Sequence, residues 1–69
     1  MIEVTAHEHL LGKRVKVVCL DGGVITGVFK SYGLCDTGDD LTIDAETSTY
    51  AYLGLVTLEA LDVQSLEPL

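Results

Sequence analysis

The sequence predicts an all-β fold: a small, strongly bent antiparallel barrel of five strands behind a short N-terminal helix. Three observations lead there. Apolar and polar residues alternate along several short runs, the period of half-buried strands. Asp21-Gly22-Gly23 separates two of these runs and reads as a tight hairpin turn, with glycine available for positive φ. Gly27 sits in the middle of the second run, where glycine is costly unless the chain must bend or a neighbour must come close.

The elements follow in chain order. Thr5-Ala6-His7-Glu8 fits the capping box S/T-x-x-E, Leu10 and Leu11 follow, and Gly12 supplies a stop. A helix of one or two turns is therefore expected over residues 6–11. Arg14 to Leu20 reads as the first strand, with Val15, Val17 and Cys19 on one face and Val18 and Leu20 on the other. Val24 to Tyr32 is the second strand. At about 3.3 Å per residue it is too long to stay flat in so small a domain, so Gly27 marks its bend. Gly33 to Asp39 is a loop, and Leu41 to Asp44 is a short third strand. Ala45 to Ser48 is polar and reads as a connection. Thr49 to Leu58 is the expected fourth strand. Glu59-Ala60-Leu61 has room for one 3₁₀ turn, and Asp62 to Leu66 is a fifth strand closed by Pro68.

The 69 residues form one expected domain, residues 1–69. A chain this short buries only about 60% of the surface its unfolded form exposes, so oligomerisation would help it. No apolar run approaches the roughly 20 residues of a membrane span. The start, M-I-E-V-T-A-H-E-H, lacks the basic and apolar regions of a signal peptide. Cys19 lies in an apolar run and Cys35 in a loop, and their spacing is not C-x-x-C. Two reduced thiols in a cytoplasmic protein are expected.

Net charge is −7, and its distribution is uneven. Lys13, Arg14, Lys16 and Lys30 are the only cations, and none follows Cys35. The acidic second half holds Asp36, Asp39, Asp40, Asp44, Glu46, Glu59, Asp62 and Glu67. Such a chain repels phosphate backbones at long range, which disfavours nucleic acid as a partner.

The segment L-L-G-K-R-V-K-V-V-C-L-D-G-G-V-I-T-G-V-F-K-S-Y resembles the first half of Sm and Sm-like proteins. Their pattern is a short helix, a G-K-x-V-x-V strand, a D-G turn and a bent strand reading G-x-L-x-S-F/Y-D. Gly22, Gly27, Phe29, Ser31 and Tyr32 fall where that pattern puts them, and the closing D-V-Q-S-L-E is similar to the last strand of many small barrels. The resemblance implies an Sm-like or SH3-like barrel and a homo-oligomeric ring. It also implies where RNA contacts would lie: at Tyr32, at Asp40, and at Leu53-Gly54. The chemistry at those positions departs from the family. Its aspartate is replaced by Gly33, the chain has no asparagine, and its arginine-glycine pair appears as Leu53-Gly54. Asparagine donates and accepts together whereas ionised aspartate only accepts, and leucine has neither the charge nor the stacking plane of arginine.

Other candidate chemistry is sparse. Asp36, Asp39, Asp40 and Asp44 could bind a hard cation, but their spacing is not that of an EF-hand, and a solvated acidic loop is the ordinary reading. His7 and His9 point to different sides of a helix, so no metal site is expected there. Cys35 has no cation in its own segment, and Asp36 beside it is expected to raise its pKa. Ser31, Ser48 and Ser65 sit in no nucleophile motif. No enzymatic activity and no cofactor are expected.

Two functions stay open. One is a ring-forming scaffold that acts through protein surfaces, its partners being copies of itself or another protein. Its expected interface is Tyr50, Tyr52, Leu53 and Leu55 on the fourth strand, with Val63 and Leu66 on the fifth. Tyr50, Tyr52, Val56 and Leu58 are expected on one face of the fourth strand, and Ala51, Leu53 and Leu55 on the other. The alternative is an Sm-like RNA- or DNA-binding protein with non-standard contacts.

Overall fold

The computed structural model describes residues 1–69, folded as five antiparallel strands in one sheet with a single N-terminal helical segment. The strands are β1 (Arg14–Cys19), β2 (Val24–Gly33), β3 (Asp40–Ser48), β4 (Gly54–Glu59) and β5 (Val63–Pro68). Their order across the sheet is β4-β3-β2-β1-β5. The all-β expectation holds. No helix is long and apolar enough to cross a membrane.

β1 and β2 pair through the expected hairpin, with Val18 opposite Val24 and Val15 opposite Gly27. The turn closes on itself. Gly22 takes φ +91°, Cys19 N–H donates to the Gly23 carbonyl at 2.8 Å, and Gly23 N–H donates to Asp21 Oδ1 at 2.9 Å. An L-residue with a side chain rarely adopts that φ, which is why glycine stands at position 22.

β2 is the strand that shapes the molecule. Ten residues at about 3.3 Å each would reach roughly 33 Å, beyond the longest molecular dimension of 29 Å. Two irregularities in its pairing with β3 bend it. Glu46 is skipped between the pairs Thr26–Thr47 and Gly27–Ala45, and Lys30 is skipped between Phe29–Ile43 and Ser31–Thr42. Gly27 sits at the first. A Cβ there would overlap the Asp44 carbonyl oxygen and lie 2.9 Å from Ala45 Cα. Close approach of β3 is thus the reason for glycine at 27. The bulged Glu46 reaches across to Arg14, 2.9 Å from its Nε, an exposed pair of small energetic weight.

The core is built from alternate residues. Val15, Val17 and Cys19 of β1 face Ile25 and Phe29 of β2, Leu41, Ile43 and Ala45 of β3, and Val63 and Leu66 of β5. Val4, Leu10 and Ala60 close its ends, and Val56 and Leu58 of β4 pack against it half-buried.

Four local expectations are corrected. The N-terminal helix is 3₁₀, spans Val4–Leu10 rather than 6–11, and starts from Glu3 without a side-chain cap. Thr5 lies inside it, so the capping box does not form. Three residues per turn place Val4, His7 and Leu10 on one face, and burying Val4 and Leu10 together is what this winding achieves. β3 runs through Ser48, because Thr47 and Ser48 pair with Thr26 and Ile25. Their outward faces are polar, which made them read as a connection. β4 begins only at Gly54. Thr49–Leu53 is a turn and connector, with Ala51 at φ 61° and Gly54 at φ +83°. The single 3₁₀ turn near Glu59 falls at Ala60–Asp62, directly before β5.

Candidate functional site

The positions that the family resemblance marks do not converge within the chain. In the β3–β4 ladder Asp40 pairs with Glu59 at one end and Gly54 pairs with Ala45 at the other. Five residue steps separate them, roughly 17 Å. Tyr32 and Gly33 lie at the Asp40 end, paired with Leu41 and Asp40. Leu53 and Gly54 lie at the opposite end. Tyr32 already has a structural role. Its ring tilts against Phe29 at 6.3 Å between centroids, and its hydroxyl donates to Glu8 Oε2 at 2.8 Å, which ties the N-terminal helix to β2. The Glu8 carboxylate raises the Tyr32 pKa by accepting that proton.

The acidic carboxylates are distributed rather than gathered. Asp36 and Asp39 belong to the loop, Asp40 opens β3, and Asp44 lies four residues further along it. Asp39 Oδ1 accepts the Cys35 N–H at 3.3 Å, an internal loop contact. No three His, Cys, Asp or Glu side chains converge in a way that could hold a metal ion. Cys35 departs from expectation. Its thiol lies 3.3 Å from the Thr37 hydroxyl, and that contact lowers its pKa, outweighing the small opposing effect of Asp40. Both cysteines are free, Cys19 buried and Cys35 exposed.

The expected interface residues divide. Val63 and Leu66 are core residues, 0% and 4% exposed, so neither side chain is available to a neighbour at that edge, where β5 presents its backbone and the exposed Gln64, Glu67 and Pro68. They are three residues apart, and both face the interior because the β1–β5 ladder skips Gln64 between the pairs Val18–Ser65 and Cys19–Val63. Tyr50 is half-buried, packs against the core and donates its hydroxyl to Asp21 Oδ1 across the hairpin turn. Tyr50 and Tyr52 are therefore loop residues, not members of a strand face. The rest of the expected face pattern stands: Val56 and Leu58 turn inward, and Leu55 turns outward.

What remains at the surface is an apolar edge. Tyr52 is 60%, Leu53 67% and Leu55 71% exposed. They lie on or just before β4, which ends the sheet at one side, while β5 ends it at the other. Each edge strand turns alternate N–H and C=O groups away from its one partner, a template for another strand. Sequence reasoning missed Leu61, exposed between β4 and β5, and Leu34 in the loop. Neither sits in an alternating run, so periodicity gave no signal for them.

A second feature joins residues that are far apart in sequence. Cys19, Leu20, Asp21, Tyr50, Tyr52, Leu58 and Asp62 line an open cleft of about 450 Å³. The Tyr50 and Tyr52 rings stack at 5.9 Å between centroids, 20° from parallel. The Tyr50–Asp21 hydrogen bond holds Asp21 below its ordinary pKa and pushes Tyr50 far above its own. At neutral pH this pair is therefore an anion bonded to a neutral phenol.

No protein-family model, no curated protein and no solved structure matches this chain.

Proposed function

We propose that this chain is a non-catalytic scaffold that assembles with copies of itself, β4 of one subunit pairing with β5 of the next, to close a ring. The observation that carries this reading is the pair of unpaired sheet edges, one of them lined by exposed Leu53 and Leu55. Fully burying a leucine is worth about 1.5–3 kcal/mol relative to leaving it exposed. Leu53 and Leu55 on one edge therefore supply several kilocalories per contact, with backbone pairing added. The charge of −7 per subunit opposes assembly, but exposed like charges more than about 8 Å apart are largely screened at physiological salt. A closed ring also removes the edges that would otherwise recruit chains without limit. The ring-forming small barrels that the sequence resembles fit the same picture, and by that resemblance a ring of about five to eight subunits is expected.

Nucleic-acid binding is less well supported. The positions where the resemblance expects contacts sit at opposite ends of β3 and β4, and Arg14, one of the few cations, is paired with Glu46. Light scattering on the purified protein at micromolar concentration tests the reading. A discrete multimer is expected, and a monomer of 7.4 kDa would overturn it.

A further inference from the structure

The cleft between the β1–β2 turn and the Tyr50–Tyr52 connector goes beyond the assembly reading. Three features define what it could hold. Its walls are apolar and aromatic: Leu20, Leu58 and the two tyrosine rings. Its only charged lining residues are two carboxylates, Asp21 and Asp62, with no cation among them. The Asp21 carboxylate is held in place, and the backbone that carries Asp62 is fixed beside it. The Asp62 carbonyl accepts the Leu20 N–H at 2.9 Å, which fixes the start of β5 beside the end of β1. Asp21 Oδ1 accepts from both Gly23 N–H and the Tyr50 hydroxyl. Its other oxygen and the Asp62 carboxylate make no hydrogen bond within the chain, and both residues line the cleft.

An aromatic face attracts a cation, and a desolvated wall strengthens that attraction. A planar guanidinium can lie on a tyrosine ring while its edge donates to a carboxylate, and it is less hydrated than an ammonium. An apolar peptide side chain would instead leave Asp21 and Asp62 desolvated without partners. We infer that this cleft is a docking site for an arginine side chain of a basic protein segment, stacked on Tyr52 and hydrogen-bonded to Asp62 and the free oxygen of Asp21. Tyr52 serves as the platform because most of its ring is open, whereas Tyr50 is committed to the core and to Asp21. Tyr50 and Asp21 act as positioning residues. The partner is thus a protein with an exposed arginine in a flexible, basic stretch.

The test uses the full chain, isotope-labelled with ¹⁵N, titrated at low salt with a capped Gly-Arg-Gly peptide. Matched peptides carry citrulline or lysine in place of arginine. Amide shifts should concentrate at Leu20, Asp21, Tyr50, Tyr52 and Asp62. The citrulline peptide, isosteric but uncharged, should bind about tenfold more weakly or not at all, and lysine should fall between. Asp62→Asn and Tyr52→Ala should each weaken arginine binding by a similar factor. Both residues are exposed, so both variants should fold, and unchanged thermal midpoints would verify that. Equal binding of arginine and citrulline would show a merely apolar groove and overturn the proposal. So would shifts spread over Asp36 to Asp44, which would indicate diffuse charge attraction. Cleft shifts that track protein concentration without peptide would give the cleft to a second copy of the chain, and silence up to about 5 mM peptide would show no site.

Discussion

Gly27→Ala adds one methyl group at the point where β2 and β3 come closest. That Cβ would overlap the Asp44 carbonyl oxygen, lie 2.8 Å from the carbonyl carbon and 2.9 Å from Ala45 Cα. All three obstacles are backbone atoms of a central strand, so none can rotate aside as a side chain would. β3 must move away, and the Gly27–Ala45 pair at the bulge must open. Overpacking of this kind costs about 1–3 kcal/mol. A weakened ladder hydrogen bond adds about 1 kcal/mol, and the stiffer unfolded chain of alanine returns about 0.4–1. The net expectation is centred on about 2 kcal/mol of destabilisation, and it is larger for Gly27→Val. A domain of 69 residues has about 3–10 kcal/mol in total, so the effect is large. Urea unfolding followed by tyrosine fluorescence measures it, because the chain has three tyrosines and no tryptophan. Gly22→Ala is the companion experiment. There the space is open but φ is +91°, so only the conformational cost of about 1 kcal/mol is expected. A Gly27→Ala midpoint equal to wild type, or a loss no greater than that of Gly22→Ala, would refute close approach as the reason for this glycine.

Three further outcomes are expected. Leu55→Asp, at the outward position of β4, should convert the multimer to smaller species in light scattering while leaving the fold intact. Val56→Asp should instead destabilise the fold, because Val56 turns inward against the core. Binding to labelled oligo-uridine should be weak or absent in fluorescence anisotropy at physiological salt, and submicromolar binding that falls steeply with salt would promote the nucleic-acid reading. The Asp21–Tyr50 pair should leave a signature in the pH dependence of stability. Asp21 has a folded pKa below its unfolded value, so its contribution is present above about pH 4 and is lost as pH falls through the folded value. Tyr50 is shifted upward, so its contribution is present below about pH 10 and is lost as pH rises further. Tyr50→Phe should flatten both limbs of thermal midpoint against pH, and limbs as steep as wild type would show that this hydrogen bond does not couple to folding.

Local rules determine some of this molecule outright. The alternation Val15-Val17-Cys19 and the turn Asp21-Gly22-Gly23 act over neighbouring residues, so strand, face and hairpin can be read directly. Gly27 is legible as an anomaly for the same reason: a glycine inside an apolar strand needs a cause, and close approach was one of the causes it could have. Tertiary structure decides the rest, because the deciding partners are distant in sequence. Thr47 and Ser48 are strand residues only because β2 offers Thr26 and Ile25 as partners. Val4 and Leu10 wind a 3₁₀ helix because the core needs both on one side, which overrides the capping preference of Thr5. Tyr50 and Tyr52 read as alternating strand residues, yet Asp21, 29 positions earlier, draws the Tyr50 hydroxyl across the turn, and the connector follows it. Val63 and Leu66 could have faced either way on an edge strand. Burial assigns them to the interior, because a barrel this small has one apolar space to fill and β5 closes it beside β1. The cleft is the product of these long-range choices. Its carboxylates and tyrosines come from the first turn, the β3–β4 connector and the 3₁₀ turn before β5, and no spacing along the chain announces that they meet.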